Sequence, residues 1–189
     1  TIWGMDRAPL YVIVGPTAVG KGTVIRRLLE DHPEVQLSVS ATTRPPRPGE
    51  VDGRDYFFVS DEEFDRLVGE DALLEWATVH QVHRYGTPAD WVDEQRRSGQ
   101  PVLLEVDLEG ARQVRDHVSD AKIIFVAPPS WEELERRLRG RGTEGAEEQE
   151  RRLRTARTEL EAAGEFDAQV TNTDVNSTAR ELAAILGLD

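Results

Sequence analysis

The chain has 189 residues, a length that fits one domain with small inserted subdomains and that buries a core without covalent staples. It has no cysteine, which removes disulfides, thiolate zinc sites and a cysteine nucleophile. A net charge of −13 argues against a broad nucleic-acid or anionic-membrane surface, and no apolar run approaches the ~20 residues that span a bilayer.

The charge does not exclude an anionic small molecule, because a few converging arginines reverse a local potential. Four histidines, at 32, 80, 83 and 117, show no ligand-like spacing. Thr1–Pro9 reads as a short tail without the basic start and apolar stretch of a secretory signal, so the expected location is the cytoplasm. Two lysines, Lys21 and Lys122, stand against twenty-one arginines, which draws attention to position 21.

Leu10–Val14 (LYVIV) is a continuous apolar run of strand length, typical of a strand covered on both faces. A glycine-bearing loop follows. Then comes a helix with Val24, Ile25, Leu28 and Leu29 on one face and Arg26, Arg27 and Glu30 on the other. Asp52-Gly53, ahead of a short strand at Tyr56–Val59, predicts a hairpin turn. Ser60 with Glu63 predicts a capped helix over 61–68, and Leu73–Val79 a strand. Thr87-Pro88 fits an N-cap and first helical residue, starting a helix to Arg97 that Gly99 closes. Pro101–Val106 is a buried-type strand, 108–117 a helix and Lys122–Ala127 the next strand. Ser130 with Glu133 opens another helix. Ala168–Thr171 and 177–187 complete the pattern as strand and helix. Strands alternating with helices predict an α/β core with a parallel sheet.

Between the first strand and helix lie Gly15, Pro16, Thr17, Ala18, Val19, Gly20, Lys21, Gly22 and Thr23. Gly-x4-Gly-Lys in that setting is a phosphate-binding loop. Its glycines let backbone N–H groups point inward, the positive end of the helix lies behind them, and Lys21 adds a full charge near the β- and γ-phosphates of a nucleotide. The usual hydroxyl directly after the lysine is replaced by Gly22, so Thr23 offers it one residue late. Mg²⁺ is then expected to hang on Thr23, or mainly on phosphates and water.

Ser38–Glu50 packs Arg44 and Arg47 among prolines, a stiffened loop suited to clamping one phosphate. A solvated loop with surface arginines is the plainer reading of that stretch alone. SVSATTRPPRPGEVDGRDYFFV at 38–59, with LLEWATV, YGTP, LLEVDLEGA and RLRGRGTE further on, resembles guanylate kinases, over nearly the whole chain from Leu10 to Leu186. The resemblance implies transfer of the ATP γ-phosphoryl group to GMP with Mg²⁺. Arg44, Arg47, Tyr56 and Tyr85 match positions that hold the GMP phosphate. Ser40, Glu75 and Thr87 match positions that read guanine. Asp107 matches an acidic residue of the GMP side near the phosphates and metal. The chemistry agrees: a carboxylate such as Glu75 accepts from guanine N1 and N2, a hydroxyl such as Thr87 donates to O6, and adenine lacks that donor pair. Many members carry His-Gly-Asn before the tyrosine, where this chain has His80-Gln81-Val82-His83.

Residues 136–157 hold eight arginines and four glutamates. Glu147–Arg151, Glu148–Arg152 and Glu150–Arg154 have the spacing of solvated helix pairs. Arg137, Arg141 and Arg152 match family positions that reach over ATP, with Gly140, Gly142 and Gly145 letting the segment swing. Asn172 matches a position near the adenosine. The implied architecture is an α/β three-layer P-loop core over approximately 8–37, 99–135 and 158–189. To it are added a small mixed α/β GMP-binding insertion over 38–98 and a helical lid over 136–157. The expected partners are ATP and GMP, with neither nucleic acid nor membrane, and the expected state is a monomer or weak homo-oligomer. Rival readings are a kinase for another phosphorylated metabolite and a non-catalytic phosphopeptide-binding module. Such modules typically lose the loop lysine and lid arginines that this chain keeps.

Overall fold

A computed structural model describes residues 7–140 and 145–188. In chain order its elements are β1 (Leu10–Val14), α1 (Lys21–Asp31), β2 (Gln36–Leu37), β3 (Ala41–Thr42), β4 (Phe57–Phe58), α2 (Asp61–Gly69), β5 (Leu73–Val79), β6 (His83–Pro88), α3 (Ala89–Arg97), β7 (Val102–Val106), α4 (Leu108–His117), β8 (Lys122–Ala127), α5 (Trp131–Arg139), α6 (Ala146–Glu161), β9 (Ala168–Thr171) and α7 (Val175–Leu186), with a 3-10 turn at Ala163–Glu165. The strand–helix alternation expected of an α/β protein is present. None of the described helices is long and apolar enough to cross a membrane. The chain forms two compact units. One holds the residues up to Leu10, Val35–Leu104 and Arg112–Ala121; the other holds Tyr11–Glu34, Glu105–Ala111 and the residues from Lys122 onward.

In the second unit β1 is buried along its whole length and pairs in parallel with β8, from Tyr11 opposite Lys122 to Val14 opposite Phe125. Strand β9 continues the ladder on the far side of β8, again in parallel. Helix α1 buries Val24, Ile25 and Leu28 and packs on α7. The α7 start is set by Asp174, whose carboxylate accepts from Ser177 N at 2.9 Å, so the helix opens two residues before the expected 177. Tyr11 carries its hydroxyl into the interior and satisfies it by donating to Leu186 O at 2.9 Å.

A second apolar cluster joins α5 to α6 through Leu134, Leu138, Leu153 and Ala156, with Ala18 and Trp131 against it. The Arg157 guanidinium lies 3.9 Å from the Trp131 ring centre. Ser130 caps α5 as expected, accepting from Glu133 N at 3.1 Å. Of the expected α6 ion pairs Glu148–Arg152 is present, and the carboxylates have further partners. Glu148 is shared by Arg151, at 2.6 Å, and Arg152, at 3.6 Å, and Glu150 reaches across to Arg139 at 3.2 Å. The neighbouring helix offers Glu150 a second arginine that a single-helix reading cannot see.

The first unit holds the parallel pair β2–β7 and a mixed sheet in the order β4-β3-β6-β5. Helix α2, capped by Ser60, lays Phe64 on that sheet against Ala41 and Leu73. Two expectations need correction. Asp52-Gly53 does turn the chain, with Gly53 at φ 82, but β4 runs parallel to β3, so no antiparallel hairpin forms. Thr87 does not cap α3. It lies inside β6, and the helix starts after Pro88 with no side-chain cap. The short strands β2 and β3 and the whole of β6 lack the apolar runs that make strands readable in a sequence.

The β5–β6 hairpin closes at His80-Gln81. Val82 N donates to Val79 O at 3.2 Å, and both central residues are left-handed, at φ 53 and 57. That geometry matches strand twist but costs residues with a Cβ roughly 1–2 kcal/mol each. Gln81→Gly is therefore expected to raise stability by about 1 kcal/mol, net of the glycine entropy cost. Urea unfolding midpoints check this, and an unchanged or lower midpoint contradicts it.

Candidate active site

Helix α1 begins at Lys21 with Gly20 as its cap, in a left-handed conformation at φ 92 and without a side-chain acceptor. Its first-turn N–H groups are thus left to a ligand, at the positive end of the helix. The first glycine of the motif answers to space: a Cβ on Gly15 would sit 2.5 Å from Val126 O on the neighbouring strand. The loop tip is held by contacts within its own unit. Asn172 Nδ2 donates to Val19 O at 2.8 Å, and Arg137 Nη1 lies 3.5 and 3.4 Å from Ala18 O and Val19 O. Ala18 itself is left-handed, at φ 70.

Pro16, Thr17, Ala18, Gly20, Lys21, Gly22, Thr23 and Arg26 of this loop and helix, together with Glu105, line a cavity of about 380 Å³. Lys21 folds back so that its Nζ donates to Gly15 O. Burial pushes its ammonium below the ordinary lysine range, while Glu105, Glu159 and Asp107 pull it back up. Asp107 lies in this field and also accepts from Gly110 N at 2.8 Å, where α4 begins. Thr23 reaches the cavity in spite of the shifted hydroxyl. No cluster of three histidine or carboxylate side chains suited to a metal occurs among the described residues. A threonine hydroxyl in this cavity, Thr23 as well as Thr17, fits Mg²⁺, which needs few protein ligands and keeps several of its waters.

The residues matched to GMP, Asp107 apart, gather on the mixed sheet of the first unit. Between Leu73 opposite Pro88 and Trp76 opposite Gly86, strand β5 sets two residues, Leu74 and Glu75, against the single residue Thr87. This bulge buries Leu74 and leaves Glu75 half-buried with its carboxylate on Thr87. The Thr87 hydroxyl, on a residue only 1 % exposed, donates to Glu75 Oε1 at 2.7 Å. The proton that the sequence assigns to guanine O6 is thus committed to the carboxylate, which it orients.

One strand over, Tyr85 stands opposite Thr42, and Arg44 Nε donates to its hydroxyl at 3.2 Å. Tyr56 packs edge-on to Tyr85 at 5.9 Å between ring centres, with the Arg44 guanidinium 5.1 Å from the Tyr56 ring centre. Arg44 also makes a two-pronged pair with Glu50, at 2.8 and 2.9 Å, and bonds Pro45 O. Four of its five N–H groups are in use. Arg47 gives its backbone N–H to Glu50 at 2.6 Å and keeps its guanidinium exposed. Ser40 accepts at its backbone from Phe57 N at 2.9 Å.

Arg152 sits on α6 with its Nε near Glu148, and Arg141 and Gly142 lie outside the described residues. Sequence reasoning passes over Glu50, Glu105 and Glu159. Only Glu105 carries a visible signal, as the one charge inside the apolar run PVLLEV.

The Arg44 hydrogen bonds hold the Glu50 carboxyl at about 2, against an ordinary 4.5. A carboxyl depressed in the folded state stabilises fully above its unfolded value and loses that contribution as pH falls through the folded one. The stability deficit of Glu50→Gln is therefore constant above pH 4.5 and shrinks from there towards pH 2. Unfolding midpoints across that window check it, and a deficit that ignores pH contradicts it.

A guanylate kinase family model matches residues 7–188. The guanylate kinase of Leifsonia xyli is 57% identical over 180 residues, 95% of this chain and 71% of that protein. The one from Thermobifida fusca is 58% identical over 177 residues, 94% of this chain and 90% of that protein. Among solved structures, guanylate kinase from Anaplasma phagocytophilum superposes with a TM-score of 0.71 at 32% identity, covering 96% of this chain and 85% of that one. The chain belongs to the guanylate kinase family, the ATP:GMP phosphotransferases.

Proposed function

We propose that the Gly15–Thr23 loop binds the phosphates of ATP, that the mixed sheet around Glu75 and Tyr85 binds GMP, and that the γ-phosphoryl group passes in line from one nucleotide to the other. The observation that carries this reading is the Thr87–Glu75 hydrogen bond of 2.7 Å at the β5 bulge. It fixes the orientation of a carboxylate, the group that accepts from the N1 and N2 donors of guanine. Adenine would leave that carboxylate unpaired, a discrimination worth orders of magnitude in a site built for hydrogen bonds. Thr87 then acts by orienting Glu75, and Ser40 is the remaining hydroxyl for the base.

The GMP phosphate falls to Arg47, Tyr56 and Tyr85, and to the charge and one uncommitted N–H of Arg44. Glu50 and Tyr85 hold that guanidinium in place before the substrate arrives, which lowers the entropy lost on binding. On the ATP side the first-turn N–H groups of α1 meet phosphate oxygens, and Lys21 exchanges Gly15 O for them. The Thr23 hydroxyl is the protein group that would hold Mg²⁺, which neutralises charge on the phosphates. Arg137, already against the loop tip, and Arg152 bring positive charge to the transferring group as the segment 136–157 closes. The buried Oδ1 of Asn172, without a partner among the described residues, accepts from the adenosine. No general base is required, because a phosphate monoester near neutral pH is already largely ionised.

Coupled ADP release with ATP and a panel of nucleoside monophosphates tests the reading. Lys21→Ala is expected to lose about 100-fold or more in kcat with its fold intact. Glu75→Gln is expected to lower the preference for GMP over AMP by about 100-fold. Near-normal turnover in the first variant removes Lys21 from the transfer step, and an unchanged preference in the second removes Glu75 from the base pocket.

A further inference from the structure

Strand β5 is an edge of the mixed sheet, so its outward N–H and C=O groups face no further strand. At Trp76 a side chain takes the place of that strand. Trp76 N donates to Gln113 Oε1 at 3.1 Å, and Gln113 Nε2 donates to Trp76 O at 3.2 Å. A primary amide carries a donor and an acceptor side by side, which suits it to both backbone groups of one residue. Gln113 is half-buried on α4, in the part of that helix that belongs to the same unit as β5. One turn further on, His117 Nε2 lies 2.8 Å from Asp71 Oδ1, two residues ahead of the strand.

The contact falls where the bulge ends, at the pairing of Trp76 with Gly86. The N–H of Trp76 and the C=O of Glu75 belong to one planar peptide unit. A hydrogen bond to that N–H therefore also fixes how the Glu75 backbone enters the strand. The opposite side of the same unit is close-packed: a Cβ on Gly86 would sit 2.9 Å from both Glu75 O and Trp76 Cβ. The Trp76 indole stands edge-on to Phe64, at 6.0 Å between ring centres. A bulge interrupts the ladder, and a one-residue slip turns every side chain to the opposite face. Something beyond the β5–β6 ladder has to hold the register there, and Gln113 is placed to do so.

We propose that Gln113 is a positioning residue for base selection: through the peptide between Glu75 and Trp76 it holds the backbone from which Glu75 reaches Thr87. The inference rests on the reading of Glu75 as the acceptor for guanine. Glu75 is then held at two ends, its backbone by a helix amide and its carboxylate by the Thr87 hydroxyl. Loss of the amide leaves the carboxylate in the protein but loosens its aim, and the cost falls on discrimination between bases.

Steady-state kinetics of the full chain with ATP and either GMP or AMP test this in Gln113→Met, Glu75→Gln and the double variant. Gln113→Met keeps the length of the side chain and removes both hydrogen bonds. It is expected to lower the preference for GMP over AMP about 10-fold and to raise the KM for GMP several-fold, with the KM for ATP in place. Added to Glu75→Gln, it is expected to change the preference no further, because both losses pass through one carboxylate. Gln113→Glu keeps the acceptor for Trp76 N and loses the donor to Trp76 O, so a smaller loss of preference is expected. A side chain needed only for stability would lower the unfolding midpoint and leave the preference intact. Unchanged preference in Gln113→Met, an equal rise in both KM values, or a further loss in the double variant overturns the inference. If Gln113→Met fails to fold, unchanged preference in Gln113→Glu does the same. Where Glu75→Gln loses preference and the Gln113 variants keep it, this inference alone falls. Where Glu75→Gln itself keeps the wild-type preference, the reading of Glu75 falls and takes this inference with it.

Discussion

The loop site depends on one charge held in a place that disfavours it. Lys21 stands at the head of α1, where burial opposes its ammonium and the helix end already carries positive potential. Three carboxylates, Glu105, Glu159 and Asp107, oppose that effect of burial, and none of them forms a close ion pair with the lysine. A tight pair would have to be broken for every phosphate that arrives. A diffuse field favours the charged form and leaves the lysine movable. The backbone is arranged to the same end, since Gly20 begins the helix with no side chain competing for its N–H groups.

The GMP-matched site solves the opposite problem. Its charged groups are locked together by hydrogen bonds within the protein. Arg44 is fixed on both edges by Glu50 and by Tyr85, and Glu75 is fixed by a buried threonine. The scaffold is a sheet whose one irregularity sets two residues of β5 against one of β6. Without that extra residue, Leu74 and Glu75 could not both face Thr87, one buried in the core and the other presented to a ligand. Rigid placement suits the proposed reading of guanine at this site, because discrimination relies on polar groups that cannot relax around the wrong base.

Much of this was legible in the sequence. The apolar runs LYVIV, PVLLEV and KIIFVA read as strands from their short length between turn signals, and all three are strands in the structure. Ser60 and Ser130 mark helix starts through a local hydrogen bond that sequence spacing encodes. Strand β6 escapes because HRYGTP has no apolar alternation; only its neighbours β3 and β5 make it a strand. The same blindness puts Thr87 at a helix cap and gives its proton to guanine. Glu50 and Glu159 stay hidden for a related reason. Glu50 matters through the path of its own loop, which brings Arg44 and the Arg47 N–H onto it, and Glu159 through its burial; neither has a local signature.

Because Lys21 and Lys122 are the only lysines, the most direct measurement is simple to interpret. Protein labelled with ¹⁵N at the lysine side chains gives two ammonium signals, which Lys122→Arg assigns. Saturation with Mg-ATP is predicted to move the Lys21 signal and leave Lys122 in place. A Lys21 signal unmoved under saturating nucleotide would contradict the account at its centre.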